Sequence, residues 1–394
     1  MEPTDERERL VTGTTGRIFL TVSLGWFVVQ LGRQLLPPLL PTIIEDLAIS
    51  GAAAGFMLTL MWAIYAIFQY PSGRWSDELS RKTLLVIGLS LLVAGFLVVA
   101  MSGSYPVLLV GVAIVGLGAG LYPTAARALV SDLFVARRGQ GFGIHTAAGD
   151  LGNATAGGLA IVAVAVATWQ GAFVPVVLLL GVVALGVHVW SREAYVLEPV
   201  GFGLKATGRR LFGNRRMRWI LVAYALFSFT WQSSTGFLPT LLQFEKGFSV
   251  GLASAGFALY FFVGALAKPI SGFISDSVGR ARVAVAGLVL AMVGLVTILL
   301  VAHTWALLLA IVVFAMGLMA FPPVMQAYLM DIFPDHSMGG DLGAMRTAYI
   351  GFGSLGPTYV GFVAGIESYT VAFLGLLGCL LVSATIVAAF ELWS

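Results

Sequence analysis

The sequence predicts an all-α membrane protein of twelve transmembrane helices, arranged as two pseudo-symmetric bundles of six helices. Three observations lead to this fold class: a composition with few charges, apolar runs of helix length, and an internal repeat. Of the 394 residues, 59% are hydrophobic and only 10% are charged, whereas a soluble domain carries about 25% charged residues. Such a composition indicates that most of the exterior faces lipid.

Apolar runs such as Leu84 to Met101 and Val283 to Ala302 are unbroken and approach the roughly 20 residues that a helix needs to cross a bilayer. A transmembrane β-strand would instead alternate apolar and polar residues over about ten positions, which excludes a barrel. Breaks at glycine, proline and charged residues divide the chain into spans at 17–40, 51–71, 83–101, 105–130, 140–166, 169–190, 218–242, 250–271, 283–302, 305–329, 340–364 and 369–391.

The distribution of positive charge predicts that both termini are cytoplasmic. In this orientation 18 of the 22 Lys and Arg residues lie in inner segments, as the positive-inside rule requires. Lys246 is the one basic residue placed outside, while Arg33, Arg127 and Arg346 lie within spans or at their ends. We therefore expect a multi-pass protein of the plasma (inner) membrane.

The two halves of the chain repeat each other at an offset of 199 residues. The matches form three clusters: Gly73, Ser76, Asp77 and Arg81 with Gly272, Ser275, Asp276 and Arg280; Gly118, Pro123, Asp132 and Phe134 with Gly317, Pro322, Asp331 and Phe333; and Gly152 and Gly157 with Gly351 and Gly356. The predicted division is an N-terminal six-helix bundle at 1–190, a cytoplasmic linker at 191–217 and a C-terminal six-helix bundle at 218–394. Such repeats place a binding site between the halves near the midplane.

The first conspicuous motif is a duplicated loop. After the second span it reads Gly73-Arg-Trp-Ser-Asp77-Glu-Leu-Ser80-Arg81-Lys82, and after the eighth it reads Gly272-Phe-Ile-Ser-Asp276-Ser-Val-Gly279-Arg280-Ala-Arg282. Both resemble the loop signature of the major facilitator superfamily (MFS), G-x-x-x-D-x-x-G-R-[RK], and the resemblance covers the whole chain. The first copy has Ser80 where the family has glycine, and the second inserts Ala281 before Arg282. The resemblance implies the MFS fold and a transporter.

The duplicated loop also predicts a gate. It places a carboxylate and an arginine in a tight turn at the membrane surface, on the face where Asp132 and Asp331 end their spans. We predict two clusters that latch helices in one conformation and separate in the other, a role that the resemblance also implies. With the glycines that begin each loop, the residues are Gly73, Asp77, Arg81 and Asp132, and Gly272, Asp276, Arg280 and Asp331. The alternative is a permanent surface ion pair worth about 0–1 kcal/mol.

Residues in the fourth and first spans resemble one particular branch of the superfamily. Gly116-Leu-Gly118-Ala-Gly120-Leu-Tyr-Pro123 resembles the organic-anion branch of the superfamily, and Arg33 followed by Pro41 is similar to its first-span pattern. Two carboxylates that take part in proton coupling in that branch correspond to Gly32 and Ala119 here. The resemblance thus implies that the substrate is an organic anion. The two carboxylates that usually take part in proton coupling are replaced in this chain.

Arg33 is predicted to lie about 12 Å from the outer end of the first span, at 1.5 Å per residue. An arginine at the centre of a span costs about 2.5–3.5 kcal/mol, so it needs a cavity or a partner. Asp150 is the only acid deep in any span and is the predicted partner. Either the two form a structural ion pair, or Arg33 holds an anionic substrate while Asp150 takes a proton. We favour the second interpretation.

Other polar and aromatic residues are predicted to line the pathway. The offset of 199 carries Arg33 onto Gln232, which makes these two opposed contacts. The remaining candidates are Trp26, Gln30, Tyr122, Trp231, Arg346 and Tyr349. Arg346 alternatively reaches the cytoplasmic headgroups, and each of the others taken singly also fits a packing role. Arg127 and His145 are predicted to be interfacial.

These features predict a secondary active transporter that moves a small solute, an organic anion, by alternating access, with proton coupling through Asp150. The alternative is a drug or metabolite exporter of the same superfamily, and a transporter-like solute receptor is a remote one. The sequence contains no Walker loop, no histidine pair with ligand spacing and no nucleophile–base set. We therefore expect no enzyme activity, metal or cofactor, no nucleic-acid partner, and a monomer in the bilayer.

Overall fold

A computed structural model describes residues 10–135, 137–166, 168–198, 213, 215–332 and 338–392. Within these ranges all regular secondary structure is helical. In the first half the helices are α1 (Gly13–Asp46), α2 (Gly51–Ile67), α3 (Gln69–Glu78), α4 (Arg81–Ala100), α5 (Tyr105–Leu133), α6 (Arg138–Val166) and α7 (Val174–Trp190), with a 3-10 turn at Trp169–Phe173. In the second half they are α8 (Arg215–Phe244), α9 (Val250–Val278), α10 (Arg280–Leu300), α11 (Thr304–Ile332), α12 (Met338–Gly353), α13 (Leu355–Ile366) and α14 (Tyr369–Leu392).

These helices match the twelve predicted spans, because α2 and α3 together form the second span and α12 and α13 together form the eleventh. Among the described residues, ten helical stretches are long and apolar enough to cross a membrane. The ten leave out α8, which carries the polar run Gln232-Ser233-Ser234-Thr235, and the pair α12 and α13, which are only 16 and 12 residues long. The prediction of an all-α membrane protein is confirmed.

By its packing the chain forms two compact units, Met1–Leu35 with Ile64–Phe202 and Leu36–Ala63 with Gly203–Ser394. Helix α1 passes from the first unit to the second just before three internal prolines, Pro37, Pro38 and Pro41. Proline inside a helix removes a backbone hydrogen bond and bends the helix. The units describe packing, whereas the predicted bundles rest on the sequence repeat, so the boundaries 1–190 and 218–394 stay a prediction.

The two units contain equivalent contacts at the offset of 199 residues. In the first unit, Ser72 Oγ donates to the Leu121 carbonyl over 2.9 Å. In the second, Ser271 Oγ donates to the Ala320 carbonyl over 3.4 Å. Glycines where an added Cβ would meet the backbone of the facing helix also recur, at Gly88, Gly95 and Gly118 and again at Gly287, Gly294 and Gly317. The sequence repeat is therefore also a repeat of close helix packing.

Lys246, the one basic residue predicted to lie outside, has defined contacts in the turn after α8. Lys246 Nζ donates to the carbonyls of Leu299 at 2.7 Å and Val301 at 3.2 Å, at the end of α10. The adjacent Glu245 accepts from the backbone N–H of Thr370 at 2.9 Å, at the start of α14. Both charges have the sign that the helix dipole favours at those ends. Burial lowers the pKa of the Lys246 ammonium, and the Glu245 carboxylate acts in the opposite direction.

Candidate functional site

The strongest candidate for a ligand contact is Arg33, which lies in the interior of α1 and is 3% exposed. Its Nη1 donates to Gln30 Oε1 over 3.2 Å. The guanidinium carbon lies 4.3 Å from the centroid of the Tyr65 ring, an interaction that strengthens when both groups are removed from water. Trp26 lies on the same face of α1, because spacings of three and four residues stay on one face of a helix. The structure thus brings an amide and the Tyr65 ring to the arginine, and it places the Trp26 ring on the same face about two turns earlier.

An aromatic stack continues this face of α1. The Trp26 ring stacks on Tyr122 with centroids 6.4 Å apart and on His145 with centroids 6.0 Å apart. Tyr122 is fully buried, and its hydroxyl donates to the Val22 carbonyl over 2.6 Å. His145 is 1% exposed, with Nδ1 3.5 Å from Ser23 Oγ. His145 is therefore buried, with the Trp26 ring over the imidazole, and its place at the membrane interface stays a prediction.

Helix α6 approaches α1 closely beside Asp150. A Cβ at Gly149 would clash with the Trp26 indole nitrogen, and a Cβ at Gly152 would clash with the backbone of α1. Asp150 lies between these glycines and is partly exposed. Its segment of α6 packs against the part of α1 that comes about two turns before Arg33. Its pairing with Arg33 and its role in proton coupling stay predictions.

In the second unit, Gln232 lies on α8 and is 1% exposed. Its Nε2 donates to Ser228 Oγ at 3.0 Å and to the Ile350 carbonyl at 3.1 Å. Its Oε1 is buried without a hydrogen-bond partner among the described residues. A buried acceptor in that state costs free energy, so this oxygen is a candidate for a water or a ligand donor. Beside it, Trp231 packs edge-on against Trp62 with ring centroids 5.5 Å apart.

Arg346 and Tyr349 lie one turn apart on α12, and both are partly exposed. The Tyr349 ring stacks on Tyr224 of α8, with centroids 4.2 Å apart. The Tyr224 hydroxyl donates to the Pro322 carbonyl over 3.3 Å, which links α8 to α11. Tyr349 therefore belongs to an aromatic cluster of the second unit, and the role of Arg346 stays a prediction.

The end of α2 that is predicted to face outside packs against α13 within the second unit. Thr59 Oγ1 donates to the Ser354 carbonyl over 2.5 Å and accepts from the Thr358 N–H over 3.2 Å. The Thr358 hydroxyl also donates to Thr59 Oγ1 over 2.8 Å. A Cβ at Gly361 would clash with the Gly51 carbonyl. The two backbones therefore leave no room for a solute between them at this point.

The first copy of the duplicated loop forms the predicted contact between Arg81 and Asp132, whose Nε and Oδ2 lie 3.0 Å apart. Arg81 Nη1 also donates to Ser76 Oγ over 2.9 Å. Ser80, with φ −69° and ψ 145°, is the N-cap of α4 and accepts from the Thr83 N–H over 3.2 Å. The contact is present, and its proposed action as a latch stays a prediction.

The second copy turns at Gly279, whose φ is +106°. This backbone conformation strongly favours glycine. Asp276 is exposed near the end of α9, and Arg280 begins α10. The side chains of Asp77 and Asp331 lie outside the described part of the structure, so the complete clusters stay predictions.

The first glycine of each loop, Gly73 in α3 and Gly272 in α9, has open space where a side chain would start. A Cβ at either residue would meet nothing within 4 Å. Packing in this conformation therefore does not account for these glycines, and their role in gating stays a prediction.

Sequence reasoning did not identify Tyr65 as a neighbour of Arg33, or the burial of His145. The helical spacing of Ser23, Trp26 and Arg33 could have suggested one continuous face of α1, but it does not show which other helices cover that face. Among the described residues, no group of three or more His, Cys, Asp or Glu side chains could hold a metal ion.

Known proteins resemble this chain over most of its length. A family model described as Major Facilitator Superfamily matches residues 22–266 and 220–393. A probable sulfoacetate transporter of Cupriavidus necator is 27% identical over 298 residues, which are 67% of this chain and 66% of that protein. A probable L-galactonate transporter of Escherichia coli is 26% identical over 260 residues, 60% of this chain and 56% of that protein. These alignments thus span less than two thirds of both relatives.

A third relative, the class H tetracycline resistance protein of Pasteurella multocida, is 24% identical over 377 residues, 91% of this chain and 92% of that protein. Among solved structures, a bacterial homolog of the human lysosomal transporter Spinster, in an inward-facing and unoccupied conformation, has a TM-score of 0.80 and 17% identity. The similarity covers 95% of this chain and 96% of that chain. At this identity the likeness shows the fold.

Proposed function

We propose that this chain, which belongs to the major facilitator superfamily, is a secondary active transporter. It moves a small organic anion across the plasma membrane by alternating access. The observation that carries the proposal is the burial of Arg33 inside a membrane-crossing helix, with 3% of the residue exposed. Arginine at that depth is costly and usually marks a ligand or ion pathway. Its planar fork of donors also matches a carboxylate or sulfonate group.

Two relatives support an anionic substrate. One is described as a probable sulfoacetate transporter and another as a probable L-galactonate transporter, and both named compounds are organic anions. The groups around Arg33, an amide oxygen from Gln30 and the ring of Tyr65, would orient the guanidinium toward a substrate. We propose that Trp26, Tyr122, Trp231, Gln232, Arg346 and Tyr349 complete the pathway.

The test is uptake of radiolabelled sulfoacetate and galactonate by proteoliposomes that contain the purified protein. Arg33→Gln should abolish uptake of an anion that the native protein carries, and Arg33→Lys should restore part of it, because the charge is kept and the fork is lost. Arg192→Gln removes an exposed arginine after α7 and should transport normally. Full uptake by a folded Arg33→Gln protein would remove Arg33 from the binding site.

We further propose that the contact between Thr59 and Thr358 is a closed state of the outer gate. Alternating access requires this contact to open, since its backbones otherwise leave no path for a solute. In a Cys379→Ala background, Thr59→Cys with Thr358→Cys should form a disulfide that stops transport, and reduction should restart it. Unchanged transport by the fully cross-linked protein would show that this contact does not open during the cycle.

Proton coupling through Asp150 is proposed because Asp150 is the acid deepest in any predicted span and lies on the segment of α6 beside α1. An imposed pH gradient should drive uptake by the native protein, whereas Asp150→Asn should only equilibrate substrate across the membrane. Gradient-driven accumulation by Asp150→Asn would assign coupling to another group.

A second candidate function is export of an apolar compound. The tetracycline resistance relative, aligned over 91% of this chain, favours it, as do the ring contacts of Trp26 and Trp231. Expression in a drug-sensitive host separates the two functions, because an exporter should raise resistance to at least one toxic compound and an anion importer should not.

A further inference from the structure

A groove on the second unit contains none of the residues proposed for the solute pathway. It has a volume of about 670 Å³ and lies between α9, α10 and α11. Its walls are almost entirely apolar, and they include Val263, Ile270, Ile274, Leu290 and Met316. Its one charged lining residue is Arg282.

The dimensions of the groove match one leaflet of a membrane. Along α9 it extends from Val263 to Val278, which is about 22 Å at 1.5 Å per residue. Half of a bilayer that is about 40–45 Å thick with its headgroup regions is about 20–22 Å. The groove therefore begins at the predicted cytoplasmic surface and reaches close to the midplane.

The charge at one end favours an anionic headgroup. Arg280 and Arg282 are both in the first turn of α10, and that turn contains no acidic residue. The amino end of a helix is itself positive and attracts anions, so it adds to the positive charge of these two arginines. Arg282 is exposed and lies where the apolar groove meets the headgroup region.

At two positions of the groove the first repeat has aromatic side chains instead. At the offset of 199 residues, Ala267 corresponds to Phe68 and Ile274 corresponds to Trp75. The rings of Phe68 and Trp75 lie 6.3 Å apart in the first unit. The second repeat therefore has smaller side chains at two positions where the first has aromatic rings.

We propose that this groove is a binding site for one anionic phospholipid, with an acyl chain between α9, α10 and α11 and the phosphate at Arg282. The site goes beyond the proposed transport function, because none of its residues belongs to the proposed solute pathway. A zwitterionic lipid would fit the apolar walls equally well but would carry no net charge for Arg282.

Native mass spectrometry of the purified protein tests the proposal, with phosphatidylglycerol and phosphatidylcholine of identical acyl chains as probes. The native protein should retain one phosphatidylglycerol in preference to phosphatidylcholine. Arg282→Gln should reduce that retention about fivefold, the contribution of one arginine near an anionic surface, and Arg282→Lys should keep most of it. The matched control is Arg138→Gln, which removes an exposed arginine at the start of α6.

Ile274→Trp provides a second test, because it introduces the residue of the first repeat and fills the groove without changing charge. It should reduce retention of both lipids. Equal retention by the native protein, Arg282→Gln and Ile274→Trp would overturn the proposal, and so would equal retention of the two lipids by the native protein. A second copy of the chain that occupies the groove would appear as a dimer mass lost in Ile274→Trp, and this would also overturn it.

Discussion

The two copies of the duplicated loop occupy equivalent places in the chain, yet they turn in different ways. In the first copy, Ser80 has an extended backbone and caps α4 with its side chain. In the second, Gly279 has φ +106° and no side chain to offer, and its N–H bonds to the Ser275 carbonyl over 3.2 Å. The motif glycine is thus needed for one backbone path and replaceable in the other.

The basic residues of the two loops also differ in their surroundings. Arg81 of the first loop contacts Asp132 and Ser76. The next residue, Lys82, is 9% exposed and donates to the Ser191 carbonyl over 2.9 Å, which attaches the segment after α7 to the start of α4. In the second loop, Arg282 is exposed at the groove. The last basic residue of the motif is therefore buried in the first loop and exposed in the second.

The largest effect is expected from Gly279→Ser, which places in the second loop the residue that the first loop uses. A side chain at this positive φ should destabilise the fold by roughly 1–3 kcal/mol. The measurement is the midpoint of thermal unfolding of the detergent-purified protein. A midpoint equal to that of the native protein would show that the second loop can adopt the path of the first.

Ser80→Ala should have the next largest effect. It removes the acceptor for the Thr83 N–H at the start of α4, and loss of such a cap costs about 1 kcal/mol. Hydrogen exchange of the first turn of α4 should increase, while exchange in the first turn of α10 should stay unchanged. Equal changes at both helices would contradict a local capping role.

The ion pair between Arg81 and Asp132 should contribute little to stability, about 0–1 kcal/mol, because its side chains are 21% and 54% exposed. A double-mutant cycle with Arg81→Gln and Asp132→Asn measures this coupling. If the pair is a latch, each single variant should change the transport rate far more than it changes stability. Parallel small effects on both would favour a permanent surface pair.

Ser80→Gly should have the smallest effect, because glycine at an N-cap costs only a few tenths of a kcal/mol. It restores the family residue and allows either backbone path. Together with Gly279→Ser it forms a reciprocal pair, and the prediction is a large asymmetry between the two unfolding midpoints. Similar losses in both would show that the difference between the loops is not set at this position.

Much of the fold follows from the sequence because the bilayer imposes long, unbroken apolar runs. The twelve spans correspond to helices, and the offset of 199 residues recurs in the contacts of Ser72 and Ser271. Helix α8 shows where composition alone is insufficient, since its polar residues are buried against neighbouring helices of the second unit.

The candidate site was only partly accessible from the sequence. An arginine inside an apolar run can be recognised from the sequence alone, and this is why the sequence predicts Arg33. Tyr65 and His145 could not be assigned to its surroundings, because their positions depend on how α2 and α6 pack against α1. The place of His145 in its span does not show that the Trp26 ring covers it.

The sequence by itself determined that this protein lies in a lipid bilayer, that it is helical and that its two halves repeat each other. It also determined that the first span contains a costly charge. These properties depend on composition and on spacing along the chain, which the bilayer converts directly into helix length and number. Only the tertiary structure decided that Ser80 caps a helix where Gly279 turns at a positive φ, that Thr59 bonds to Thr358, and that a groove lies beside Arg282. Those features depend on contacts between residues far apart in the chain, and on backbone angles that residue type restricts but does not specify.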